Sequence, residues 1–194
     1  MEETLRNQND LPTHLTSMME ELKQKNGEQA KELEVLRGNV SEMLLRMDEL
    51  AKKTKDPKVA FSASLLNSES PSNVGPFDSN TTLIYRHIFT NVGGAYDPAT
   101  GLFSAPVKGV YAFRVFSKAF GRSDRGVTAG LFKNGQHIFS THAHQTEGVY
   151  GASNGVTLQL EKGDLVSVQL YPGSWICDNK HHHSTFSGHL LFLL

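Results

Sequence analysis

A single cysteine, Cys177, in 194 residues leaves no partner for an intrachain disulfide, so no disulfide framework holds this chain together. Charge of one sign is missing too. The 19 basic and 20 acidic residues nearly cancel, and no basic cluster interleaves with aromatics. That excludes the basic stripe of a nucleic-acid binder. No apolar run reaches the length of a membrane-spanning helix; the apolar end at Leu190 to Leu194 is far too short. The acidic start, Met-Glu-Glu-Thr-Leu, has no apolar h-region. Two expectations stay open: a cytosolic protein, or one whose secretion signal has been removed. Apolar residues make up 38%, low for a wholly globular chain, and the deficit lies in the first quarter.

Two hydrophobic periods divide what is present. Residues 1–10 read as a flexible tail. Across residues 11–55, Leu15, Met18 and Leu22, then Leu33, Leu36, Val40, Met43, Met47 and Leu50, recur at alternating spacings of three and four. That is a coiled-coil seam. Lys25 and Gln29 take core positions between Leu22 and Leu33, a four-residue stutter that locally unwinds a supercoil. Pro12 suits a first helical turn, with Asn9 or Asp10 as cap. The other reading of this stripe is an amphipathic helix packed on the neighbouring domain. Either way the apolar stripe requires a partner.

Asp56–Pro57 ends the helix, because a residue before proline is pushed out of the α region. From there to residue 194 the period is two. Val59, Phe61, Ala63 and Leu65 alternate with small or polar residues, as do Tyr111, Phe113 and Val115, then Val156, Leu158 and Leu160, then Val166, Val168 and Leu170. Residues 68–78 read as a loop, Asn134-Gly135 as a hairpin turn and Lys162-Gly163-Asp164 as another turn. Many short strands predict an all-β sandwich or barrel. In the last strand Phe186, Leu190, Phe192 and Leu194 are expected on one face and Leu191 and Leu193 on the other. Both faces end apolar, so a subunit contact is expected to cover the second.

Tyr85 to Val115 reads YRHIFTNVGGAYDPATGLFSAPVKGVYAFRV. The stretch resembles the signature of the complement C1q globular domain, with Asn91, Tyr96, Phe103, Gly109, Tyr111 and Phe113 in place. Tyr85 stands where the signature has Phe, and Val115 where it has an aromatic. TAGLFKNG from Thr128, GVTLQLEKG from Gly155 and TFSGHLL from Thr185 extend the likeness over 56–194, with the look of cerebellin-like and fish C1q-like members. The resemblance implies a ten-stranded jelly roll of tumour-necrosis-factor type, a homotrimer and secretion. The coiled coil stands where many members carry a collagen stalk. Some members hold calcium near the trimer axis through an acidic residue; Tyr150 occupies that place here, so these residues do not support calcium.

Several motifs carry chemistry as strings. Gly151 to Gly155 matches G-x-S-x-G, but a nucleophile elbow needs a strand before it and a helix after it, and a strand follows. A loop entering that strand is the expectation, and no enzyme is read here. His181, His182 and His183 follow Asp178; they are weak metal candidates that need help from His142, His144 or another subunit, against a plain polar loop. Arg122, Asp124 and Arg125 in GRSDRG, with His142 and His144, are the ligand-binding candidates for an anionic group, against a solvated turn with a local salt bridge. Asn80 and Asn39 begin glycosylation sequons. Cys177 reads as a small buried hydrophobe, with an interchain disulfide as the other reading. The trimer-forming set is Leu33, Leu36, Val40, Met43, Met47 and Leu50 in the stalk, with Leu191 and Leu193 in the head. Two roles are expected from the resemblance. One is recognition of a carbohydrate or lipopolysaccharide pattern in innate immunity. The other is signalling through a protein receptor, as cerebellins do.

Overall fold

The computed structural model describes the backbone of residues 2–55 and 57–194, and the side chains of 12–51 and 57–194. The chain divides into two units, Met1–Asp56 and Pro57–Leu194. Asp56, half of the expected helix break, lies outside the described residues.

The first unit is one helix, α1 (Glu2–Lys55). It takes in residues 2–10, which were expected as a tail; Glu, Leu, Arg and Gln there are good helix formers, and early acidic residues suit the positive end of the helix dipole. Pro12 therefore sits inside the helix, and its carbonyl accepts a bond from Thr16 Oγ1 at 2.8 Å. Arg46 pairs with Glu42 one turn back at 2.7 Å. Leu33, Leu36, Val40, Met43, Met47 and Leu50 are all more than half exposed.

The second unit is built of strands. The first six are β1 (Ala60–Ser64), β2 (Ser72–Val74), β3 (Thr81–Thr82), β4 (His87–Val92), β5 (Tyr96–Asp97) and β6 (Leu102–Ser104). There follow β7 (Gly109–Phe120), β8 (Val127–Lys133), β9 (Gln136–Ala143) and β10 (Val149–Leu160). The last are β11 (Leu165–Leu170), β12 (Ile176–Asp178) and β13 (Thr185–Leu193). One sheet runs β10-β7-β13-β1-β4; the other runs β5-β6-β11-β8-β9, with β3 added on β11. Five strands thus lie along each main path, and the pairings are antiparallel. The first and last strands, β1 and β13, pair in the middle of the first sheet.

The alternation expected from the sequence decides which side chains meet between the sheets. Phe61, Tyr96, Phe103, Tyr111, Phe113 and Phe186 form the aromatic centre of the core, each 2% exposed or less. Phe61 stacks on Tyr96 at 4.8 Å, and Phe103 meets Phe113 edge-on at 5.2 Å. The signature residues now have reasons. Asn91 Nδ2 donates to the Tyr96 carbonyl at 2.8 Å and its Oδ1 accepts from the Tyr96 N–H at 3.3 Å, holding that strand entrance. At Gly109 a Cβ would stand 2.6 Å from Leu190 Cδ1 and 2.7 Å from the Phe192 carbonyl, so only glycine fits. Asn134 and Gly135 take positive φ, 51° and 79°, and close the β8–β9 hairpin.

Three sequence expectations are corrected. Part of the 68–78 loop is β2, which pairs with β12; its three residues, with Val74 the one apolar side chain, are too few to show an alternation. Residues 151–155 are interior to β10 rather than a loop, because β10 runs unbroken along the full length of β7. In β13 a bulge between Leu190 and Phe192 moves the register by one residue. Phe192 then shares the outer face with Val110 and is 56% exposed, although strict alternation puts it inside with Leu190.

Candidate recognition surface

Three connections meet at one end of the sandwich: residues 121–126 between β7 and β8, residues 144–148 between β9 and β10, and residues 171–175 after β11. Backbone bonds tie them together. Arg122 N–H donates to the Gln145 carbonyl at 2.9 Å, Gly121 N–H to Gly148 at 2.8 Å and Trp175 N–H to Gly126 at 3.2 Å. A loop fixed this way on a rigid sandwich presents its side chains in set positions.

Arg122 and Arg125 both turn onto Asp124. Arg122 Nε and Nη2 lie 2.8 and 3.2 Å from the two carboxylate oxygens; Arg125 Nε and Nη2 lie 3.0 and 2.7 Å from Oδ2. The two guanidinium groups hold the Asp124 carboxyl well below the usual carboxylate range, and Asp124 in turn raises the Arg122 guanidinium. The local salt bridge weighed from the sequence is therefore present, and it orients the two cations. The Arg122 guanidinium also lies over the Trp175 ring at 5.4 Å. Trp175 is 8% exposed, and its indole N–H has no hydrogen-bond partner. His144 joins this cluster, with Nε2 3.0 Å from the Arg122 carbonyl. His142 points elsewhere, to Thr128 Oγ1 at 2.8 Å.

The histidine run does not converge. His182, in a left-handed conformation at φ 54°, stacks flat on His87 at 4.4 Å, meets Phe89 edge-on and shares a 2.7 Å hydrogen bond with Ser64 Oγ. The His181 and His183 rings lie 5.9 Å apart between centroids and are tilted by 50°. Asp178 is buried; its oxygens accept from the backbone N–H groups of Leu66, His183 and Ser184. That carboxylate fixes the loop rather than standing open to a cation. Among the described residues no three His, Cys, Asp or Glu side chains gather as a metal site. Tyr150, at the place where some relatives were expected to carry an acid, is buried.

Ser153, the serine of the G-x-S-x-G string, lies exposed in the middle of β10, with strand on both sides. It lacks the turn that sharpens a nucleophile. Cys177 is buried, and burial pushes its thiol up. Asn80 is exposed just before β3, and Asn39 is exposed on α1. Leu191 and Leu193 are exposed, together with Phe192 and Leu194. Trp175 was missed in the sequence as a site residue. It lies some fifty positions from Arg122, and no local spacing links the two.

A family model described as the C1q domain matches residues 49–191. The mouse protein named "Complement C1q tumor necrosis factor-related protein 3" is 37% identical over 136 residues, 70% of this chain and 52% of that protein. The chain thus spans about half the length of the curated relatives it matches. Among solved structures, the globular domain of zebrafish complement 1qA protein superposes with a TM-score of 0.54 at 19% identity, over 71% of this chain and 99% of that one. The Eiger tumour necrosis factor of S. frugiperda superposes with a TM-score of 0.57 at 13% identity, over 71% and 95%. These two likenesses carry the fold, a jelly roll of the kind found in both. No helix among the described residues is long and apolar enough to cross a membrane.

Proposed function

Because this chain belongs to the C1q domain family, we propose that it is a secreted homotrimeric recognition protein whose head binds a surface ligand through the loops around Arg122. It is not an enzyme: the family's members are ligand or recognition proteins. The observation that carries the reading is the pair of guanidinium groups, Arg122 and Arg125, held in place by Asp124 at an exposed corner of a rigid sandwich. Planar forks of fixed orientation suit carboxylate, sulfate or phosphate groups on a microbial or host surface. The exposed α1 seam supports assembly into a parallel bundle, which multiplies weak single contacts.

A second reading is a signalling ligand for a cell-surface receptor. It is favoured by the curated relatives, which are named for their relation to tumour necrosis factor. Recognition of a protein would use a larger surface, about 800 Å² per partner. One experiment separates the two. The full chain is screened against glycans and whole bacteria beside a receptor pull-down from cell membranes, with competition by free sugar and salt. Under the first reading, binding is competed away and falls in an Arg122→Ala/Arg125→Ala variant. A single protein partner insensitive to sugar establishes the second reading and overturns the first.

A further inference from the structure

Two asparagines open the sequon Asn-X-Ser/Thr, and the structure sets them in opposite surroundings. Asn80, in Asn80-Thr81-Thr82, is exposed in the head. It follows a bend at Asp78 and Ser79, both exposed, and stands one residue before β3. Thr81 and Thr82 pair with Leu170 and Gln169 of β11, so Asn80 lies just past the end of the ladder, at the level of Tyr171. Thr81 Oγ1 donates to the Ser79 carbonyl at 3.0 Å, which fixes the turn into the strand. Among the described residues neither the Asn80 carboxamide nor the Thr82 hydroxyl makes a hydrogen bond.

Asn39, in Asn39-Val40-Ser41, is the contrary case. It sits inside α1, three residues after Leu36 and four before Met43, so it shares a helix face with the seam. In a bundle that position flanks the neighbouring helix. The Ser41 hydroxyl donates to the Arg37 carbonyl one turn back at 3.0 Å. The hydroxyl that completes this sequon is engaged, and its amide borders a surface that assembly covers.

A branched glycan is bulky and hydrophilic, and it needs a face that no second chain covers. The exposed apolar side chains Phe89, Val92, Phe116, Val149 and Phe192 all lie on strands of the first sheet. Asn80 stands instead at the second sheet, which β3 joins through β11, about 10 Å behind the first. The Gly173 N–H donates to the Phe77 carbonyl at 3.0 Å and ties the segment before Asn80 to the 171–175 connection. The attachment point is therefore fixed on both sides, and it borders the corner that carries Trp175.

We propose that Asn80 carries an N-linked glycan and that Asn39 stays bare. The proposal rests on the secreted reading above, because the sugar donor, a lipid-linked oligosaccharide diphosphate, is met in the secretory lumen. In the transfer, Asn80 Nδ2 attacks the anomeric carbon of that donor. An N–C bond forms, the C–O bond to the diphosphate breaks, Nδ2 gives up one proton and the lipid diphosphate leaves. The Thr82 hydroxyl, unengaged and two residues on, completes the acceptor motif.

The test supplies the full chain with a cleavable secretion signal in eukaryotic cells. Intact mass is measured before and after digestion with a glycan-releasing amidase, which turns a glycosylated Asn into Asp. The wild type is expected above its peptide mass of 21.4 kDa and to fall back to it on digestion, with Asp at position 80 and Asn at position 39. Asn80→Gln and Thr82→Ala are each expected to abolish the shift. Thr82→Ser, which keeps a hydroxyl, and Asn39→Gln are expected to retain it. A secreted chain untouched by the amidase overturns the proposal and leaves the secreted reading standing. Sugar on Asn39, alone or beside Asn80, overturns the choice between the two sequons. Retention of the wild-type chain inside the cell, with no sugar on it, overturns the proposal and the secreted reading together.

Discussion

The Tyr96 hydroxyl closes a two-way hydrogen bond with the backbone of Tyr85, accepting from its N–H at 3.0 Å and donating to its carbonyl at 3.1 Å. Both residues are buried. Burial pushes the Tyr96 phenol up to about 12. Tyr85 has no such partner for its own hydroxyl, which burial pushes up further. The two tyrosines therefore respond oppositely to the same change. Tyr96→Phe strands a buried N–H and a buried carbonyl and is expected to cost about 2–4 kcal/mol. Tyr85→Phe removes an unpaired buried hydroxyl and is expected to stabilise by about 1 kcal/mol. Urea melts of the two variants check this; a Tyr85→Phe protein weaker than wild type contradicts it.

Gly188 sets a second limit. It lies in the TFSGHLL run of β13 and faces the core, where an added Cβ would stand 2.5 Å from Phe113 Cδ1 and 2.8 Å from Phe61 Cε1. Aromatic rings packed on both sides have little room to yield. Gly188→Ala is expected to destabilise by about 2–3 kcal/mol, while Ser187→Ala, one residue away on the outer face, shifts the melting midpoint little. Equal midpoints for the two variants contradict the packing argument.

Asp164 gives an acid dependence. Its carboxylate accepts from Asn134 Nδ2 at 2.8 Å, from Lys133 Nζ at 2.9 Å and from the Glu161 N–H at 2.9 Å, joining the β8–β9 hairpin to the β10–β11 turn. These partners lower its pKa from 3.8 to about 2. A carboxyl depressed by folding contributes stability that is complete above its unfolded value. That contribution is lost as pH falls from 3.8 toward about 2. Asp164→Asn is expected to lower stability at pH 7 and to flatten its pH dependence in that window. Parallel curves for wild type and variant between pH 5 and pH 2 contradict it.

The sequence made the core legible wherever strands alternated strictly. Tyr111, Phe113 and Val115 are all buried, as their period requires, and Asn134-Gly135 is the turn it reads as. The outer face of β7 was legible by the same period: Phe116 and Lys118 fall out of phase with the core residues and face outward. What escaped is non-local. The β13 bulge that exposes Phe192 arises from pairing with β7, and no feature of residues 185–194 announces it. Nor does spacing bring Trp175 to Arg122 or His87 to His182, because each contact joins residues far apart in the chain, with at least one of the two carried on a loop.

Two exposed apolar surfaces remain, and they make a joint prediction. The α1 seam and the Leu191 to Leu194 end of β13 each leave large apolar side chains in water within one chain. Under the proposed homotrimer both come under cover, and light scattering is then expected to give three times 21.4 kDa for the full chain. The surfaces are then separated by substitution. Leu36→Asp/Met43→Asp places charge in the stalk seam, and Phe192→Asp places it on the head. If the head sets the stoichiometry, the stalk variant stays trimeric and Phe192→Asp falls to a monomer or dissociates at low concentration. If the stalk sets it, the pattern reverses, and recognition by the head depends on avidity through α1. A wild-type chain of monomer mass contradicts the trimer, and with it the account of both surfaces.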